Sequence, residues 1–236
     1  MAIRRWCAPA SGWPARSIEP VRLYLSSFRL GEHPEHLVRL VGAGARVAAI
    51  CNAVDPVDGH TEADRREAVK AELDALGRLG LAGDELDLRD HVDDPAGVRR
   101  ALEPYAGVWL RGGNAFMLRA VMRRSGADIA LVDLVRQDAL VYAGYSAGPC
   151  VLAPSLRGLE YCDDPGAVER AYGSPPVWDG LGLIDYAFVP HVDSPGHPET
   201  EQMAVVTEHY RRDGVRHRPL RDGQALVVEG DVTTLV

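Results

Sequence analysis

LVYAGYSAG, Leu140–Gly148, runs an apolar strand directly into a turn where Ser146 stands between two glycines, and a helix-compatible stretch follows as far as Pro154. G-x-S-x-G placed straight after a strand is the pattern of a nucleophile elbow. The turn is too tight for side chains on either side of the serine, so Gly144 and Gly148 are required. The serine hydroxyl then projects from the sheet edge, with a helix N-terminus behind it that favours developing negative charge. On these residues alone, a Gly- and Ser-rich turn without chemistry stands as the alternative.

Working outward, the chain alternates two kinds of segment from Val21 onward. Short apolar runs at Val21–Phe28, Ala45–Cys51, Glu85–Leu88, Gly107–Leu110, Leu140–Gly144 and Tyr186–Pro190 are expected to be buried strands. Between them lie helical patterns at Glu62–Leu79, Asn114–Arg124, Gly126–Gln137 and Pro198–Arg212. In the first, Thr61 is the expected N-cap and Gly80 the stop. Ala68, Ala71, Leu73, Leu76 and Leu79 mark its apolar face, and Glu62, Arg65, Arg66, Lys70 and Glu72 its polar one. The segment Glu160–Pro176 is expected to be a surface excursion, and Ala225–Val236 a terminal hairpin turning at Gly230-Asp231. Strand–helix alternation of this kind implies an α/β fold with a mostly parallel sheet covered on both faces, whose strand C-terminal ends share one ligand-binding edge. No repeat or linker divides it, so residues 21–236 are expected to be one domain and residues 1–20 a poorly ordered extension.

With 26 Lys plus Arg against 34 Asp plus Glu, the net charge is −8 and there is no basic tract, which argues against a nucleic-acid partner. No apolar run reaches the length of a membrane span, and residues 1–20 lack the apolar stretch of a signal peptide. Cys7, Cys51, Cys150 and Cys162 show no C-x-x-C spacing, which fits a reduced, cytoplasmic compartment.

A serine nucleophile needs a base. Of the eight histidines, His191 follows the strand Tyr186–Pro190 and is expected at the same sheet edge as Ser146. His33, His36, His60, His91, His209 and His217 lie in charged stretches and His197 in a Pro- and Gly-containing loop. Glu160, Asp163 and Asp164 are the carboxylates available between the elbow and His191 to orient the imidazole. The order Ser, acid, His is also that of α/β-hydrolases, but His191 follows Ser146 too soon for that fold. Arg111-Gly112-Gly113-Asn114 ends the strand Gly107–Leu110, and its glycines would let backbone N–H groups approach an oxyanion.

The motifs R-G-G-N-A-F (111–116), G-Y-S-A-G (144–148) and P-H-x-D-x-P-G-H-P-E-T (190–200), in that order, resemble peptidase E. This serine dipeptidase family cleaves after an N-terminal aspartate and includes the cyanophycinases. The resemblance implies a single three-layer, class I glutamine amidotransferase-like α/β domain with no metal or cofactor. It implies a Ser–His–acid triad with Ser146 as nucleophile, His191 as base, and the backbone N–H groups of Gly113 and Ala147 as oxyanion donors. The family's acid lies about fifteen residues after the serine, which selects Glu160. An arginine that follows the G-E-T stretch in aspartyl dipeptidases is replaced here by Glu201, so Asn114, Arg111 and Arg157 become the candidate substrate contacts.

The expected activity is therefore hydrolysis of small peptides, Asp-X dipeptides among them, by an exopeptidase that holds a free α-amino group through Asp193, Glu199 or Glu201. The expected partner is a small peptide, with a homodimer left open. Two rivals are a metal site at His191, Asp193 and His197 and a non-catalytic amidotransferase-like binding domain.

Overall fold

The computed structural model describes residues 21–236, so the expected N-terminal extension lies outside the described residues. Along the chain, β1 (Arg22–Ser26), α1 (Glu35–Val41), β2 (Arg46–Ile50), α2 (Glu62–Arg78), β3 (Ala82–Glu85), α3 (Pro95–Leu102) and β4 (Gly107–Leu110) form the first half. The second half is α4 (Ala115–Ser125), α5 (Ala127–Arg136), β5 (Val141–Tyr145), α6 (Ala147–Cys150), α7 (Ala167–Tyr172), β6 (Ala187–Val189), α8 (Thr200–Asp213), β7 (His217–Pro219), β8 (Ala225–Glu229) and β9 (Val232–Leu235).

Seven strands form one sheet in the order β3-β2-β4-β5-β1-β8-β9. The first five are mutually parallel, while β8 pairs antiparallel with β1 and β9 antiparallel with β8. Every residue of β4 and β5 is buried, as parallel strands covered on both faces require. Alternate residues feed two cores. Leu23, Leu25, Ile50, Val108, Leu110 and Tyr142 face one, and Tyr24, Val47, Ala49, Trp109 and Val141 face the other. The fold is thus the mostly parallel, three-layer α/β arrangement expected of the class I glutamine amidotransferase-like type. Register matters for function: Ile50 pairs with Leu110, Leu110 with Gly144, and Ser26 with Tyr145, so four strands end in one row.

Three expectations change. β3 occupies Ala82–Glu85 rather than Glu85–Leu88; as an edge strand beside β2 alone it carries no apolar run, and Leu86 and Leu88 drop into the core after it. The strand after Tyr186 does not join the main sheet but pairs with β7 alone. Most informative is α2, which begins at the expected Thr61 with a reciprocal capping box to Asp64 but turns a different face inward. Arg65, Val69, Glu72 and Leu76 are buried, whereas Ala71 is exposed. Polar partners reverse the hydropathy pattern. Arg65, with 3% of its side chain exposed, meets Asp55 at 2.8 Å, Glu85 at 2.7 Å and Asp87 at 3.0 Å. Among the described residues, no helix is long and apolar enough to cross a membrane.

Truncating one partner of a buried ion cluster strands the others without compensation. Arg65→Ala is therefore expected to destabilise the fold by about 3–5 kcal/mol. A lowered urea midpoint at unchanged slope would show this, and an unchanged midpoint would contradict it.

Candidate active site

The row of strand ends supplies the first elements. β5 passes into α6 through Ser146, whose φ of 52° and ψ of −110° are strained for a residue with a side chain. The flanking glycines are needed because a Cβ on Gly144 or Gly148 would come within 2.6 or 2.9 Å of the Leu110 carbonyl oxygen. Ser146 lines a cavity of about 760 Å³ together with His191, Gly112 and Gly113. Gly112 packs so tightly that a Cβ there would lie 2.9 Å from that of Ser146. Gly113 has a φ of 142° and rests on Ala53, whose carbonyl oxygen leaves no room for a side chain and also accepts the Asn114 N–H at 2.9 Å.

His191 follows β6 with a φ of 59° and is fixed on several sides. Its N–H donates to Ser27 Oγ at 2.9 Å, and its carbonyl accepts from Thr200 Oγ1 at 2.7 Å. Its Nδ1 lies 2.7 Å from Asp222 Oδ1, so the tautomer that uses this bond carries the proton on Nδ1 and leaves the Nε2 lone pair free. Asp222 also accepts from Ser27 Oγ at 3.0 Å, and its N–H donates to Ser194 Oγ at 2.8 Å. The ring is 1% exposed and stacks on His197, with centroids 3.6 Å apart and planes 5° from parallel. Burial lowers the His191 pKa below the ordinary histidine value, partly offset by the Asp222 hydrogen bond and charge. The imidazole is accordingly neutral at neutral pH, as a proton acceptor must be.

The carboxylate on His191 is therefore Asp222 and not the expected Glu160. Glu160 is exposed and accepts the N–H of Gly158, within its own turn. Asp163 accepts the Ala115 N–H at 2.8 Å, and burial pushes its pKa up to about 7. Asp164 pairs with Arg170. Asp222 stands in the Arg221-Asp222-Gly223 turn before β8, where a carboxylate followed by glycine signals only a turn. The antiparallel pairing of β8 with β1 brings it beside Ser27.

The other candidates divide. Arg111 lines the cavity, its Nε 3.5 Å from Glu72 Oε1. Glu72 in turn accepts from Tyr145 OH at 2.7 Å and Trp109 Nε1 at 2.8 Å. Asn114 is occupied, since Oδ1 caps α4 through the Phe116 and Met117 N–H groups and Nδ2 donates to the Asp164 carbonyl. Arg157 lies over the Trp178 ring, 4.9 Å from its centroid, and is not part of the cavity wall. Of the acidic residues expected near His191, Glu199 lines the cavity with Oε2 3.8 Å from His191 Nε2. Asp193 is 74% exposed and faces Arg221.

The His191, Asp193 and His197 metal set is thus not assembled, and Glu199 stands in the place of Asp193. Ligand atoms of His191, His197 and Glu199 come within 4.8 Å of one another. Stacking, however, keeps the two imidazole planes parallel, so no single point lies on the in-plane lone pairs of both rings. This arrangement does not fit a shared metal.

Residues 38–236 match the family model of peptidase family S51. Peptidase E of Streptomyces coelicolor is 33% identical over 197 residues, covering 82% of this chain and 72% of its own. A Drosophila melanogaster protein designated a probable alpha-aspartyl dipeptidase is 27% identical over 180 residues, covering 63% of this chain and 69% of its own. In fold, a solved candidate peptidase E from Listeria monocytogenes EGD-e superposes with a TM-score of 0.70 at 23% identity, covering 92% of this chain and 98% of that one. The chain belongs to peptidase family S51 and is a serine peptidase.

Proposed function

We propose that the protein is a dipeptidase that works through an acyl-enzyme on Ser146. Ser146 Oγ attacks the scissile carbonyl carbon as His191 Nε2 takes its proton. The C–N bond then breaks, and the imidazolium gives that proton to the leaving amine. Water, deprotonated by the same imidazole, then attacks the acyl carbon; the bond to Ser146 Oγ breaks, and the imidazolium returns its proton to that oxygen. Asp222 holds the Nδ1–H and stabilises the imidazolium. Gly113 and Ala147 N–H groups receive the oxyanion. The Ala147 N–H stands at the first turn of α6, where N–H groups have no intrahelical partner.

The observation that carries this reading is the 2.7 Å His191–Asp222 contact on the wall of the cavity that Ser146 enters from a strained turn. Charge within the cavity supports a small zwitterionic substrate. Glu199 beside His191 offers a site for a free α-ammonium group, and Arg111 one for a carboxylate such as an N-terminal aspartate side chain. A non-catalytic domain would have no use for a buried, carboxylate-bound histidine beside a strained serine.

Ser146→Ala is expected to fold normally and to lose hydrolysis of Asp-Leu by several orders of magnitude. Near-normal turnover would overturn the assignment. Asp222→Asn should lower kcat by roughly 10³–10⁴-fold, whereas Glu160→Gln should leave it nearly unchanged. The reverse ranking would return the acid's role to Glu160.

The pH profile has a defined sign. Protonating His191 removes the base, so kcat/KM falls on the acid side, with a midpoint below the ordinary histidine value of about 6.5 because burial disfavours the cation. A midpoint at or above that value would contradict the buried, neutral imidazole. N-acetylation of the dipeptide should also abolish cleavage, and equal hydrolysis of both forms would exclude recognition of the α-amino group.

A further inference from the structure

The wall of the cavity next to His191 carries a cation that the hydrolytic steps do not use. Arg29 sits in the turn after β1 with a φ of 48°, a left-handed conformation that residues with side chains rarely adopt. The turn is firmly held. Gly31 N–H donates to the Phe28 carbonyl at 3.1 Å, Tyr24 OH to the Leu30 carbonyl at 2.6 Å, and Glu32 N–H to the Gly223 carbonyl at 2.7 Å. The last of these bonds ties the turn to the residue next to Asp222. The arginine and the His191–Asp222 pair are therefore mounted on one frame.

Phe28 connects them. Its ring stands edge-on to His191, with centroids 5.8 Å apart, and to His197 at 5.1 Å. The Arg29 guanidinium carbon lies 5.2 Å from the centroid of the same ring. Among the described residues no carboxylate lies within 4.0 Å of that guanidinium, although Glu32, Asp74 and Glu199 line the same cavity. Arg111, by contrast, already faces Glu72. Among the described residues, Arg29 is an exposed cation on the histidine side of the site, set over the Phe28 ring and without a carboxylate partner.

That side receives the leaving group, because the imidazolium must deliver its proton to the departing nitrogen. In a dipeptide the Cα bonded to that nitrogen also bears the free C-terminal carboxylate. In a longer peptide an uncharged amide takes that place. We propose that Arg29 is the receptor for the C-terminal carboxylate of the leaving residue, and that it selects dipeptides over longer peptides. Its planar guanidinium suits a carboxylate, and the cation–π contact and held turn reduce the ordering needed on binding. This assignment rests on the reading of Ser146 and His191 as the hydrolytic pair.

The test compares Asp-Leu with Asp-Leu amide in the parent, Arg29→Met, Arg29→Lys and Arg78→Met enzymes. The parent should favour the acid by about tenfold or more in kcat/KM, the size expected of a hydrogen bond between charged groups. Arg29→Met should abolish that preference through KM for the acid while leaving turnover of the amide unchanged. Arg29→Lys should restore part of it, and Arg78→Met, which alters another cavity arginine, should keep it. A preference that survives in Arg29→Met, or disappears in Arg78→Met, overturns the proposal. Calorimetric binding of both peptides to the Ser146→Ala protein separates this inference from the one beneath it. Equal affinity for acid and amide overturns the receptor even where turnover stands. An acid preference that depends on Arg29, in a parent protein that cleaves neither peptide, keeps Arg29 as a carboxylate site but overturns both the hydrolytic reading and the leaving-residue role that rests on it.

Discussion

The carbonyl oxygen of Leu110 lies against two positions of the adjoining β5–α6 segment, Gly144 and Gly148, where even a methyl group would collide with it. That close approach lets β5 end beside β4 and enter α6 without a step sideways. Ser146 consequently leaves the sheet at the row of strand ends, in a backbone conformation that the surrounding packing has to hold. The glycines of the neighbouring loop continue the same contact, with Gly112 against Ser146 and Gly113 against Ala53. A side chain at any of these positions would move the serine, the loop or the strand. The site is a consequence of how closely three backbones can pass.

Charge buried around this frame holds the loops in place. The Arg65 cluster includes Asp55, which also accepts from Asn52 Nδ2 and from Tyr172 OH on α7. Asn52 and Asp55 flank Ala53, whose carbonyl supports Gly113 and Asn114. The excursion after the elbow is tied to the same region through Asp163 at the N-terminus of α4 and Asn114 on the Asp164 carbonyl. On the opposite wall, Ser27 supports both the His191 backbone and the Asp222 carboxylate. Two polar networks thus set the two sides of the cavity independently, one beneath the glycine loop and one beneath the histidine.

Much of this fold is legible in the sequence. β1, β2, β4 and β5 are short apolar runs buried on both faces, and α2 and α4 open on side-chain caps from Thr61 and Asn114, with Gly126 ending α4. Local chemistry also marks the elbow, because Gly-x-Ser-x-Gly after a strand encodes the turn itself. Missing were the elements whose stability is not local. β3 has no apolar run because it lies at an edge, and the inner face of α2 departs from its hydropathy pattern because Arg65 and Glu72 are buried by partners distant in sequence. β6 has the composition of a sheet strand, yet it pairs only with β7.

Strand–helix alternation along the chain carries the α/β class, and a few consecutive residues carry the elbow serine and the glycine loop. His191 is different, because the sequence places it at the end of a strand of the main sheet but it reaches the cavity from β6, outside that sheet. The tertiary structure alone decided which carboxylate meets that histidine. Glu160 is close to Ser146 along the chain but turns back to its own backbone. Asp222, in an unremarkable turn, reaches His191 because β8 pairs antiparallel with β1 and returns the chain to Ser27. Neither composition nor spacing contains that contact, because strand pairing across most of the chain length creates it.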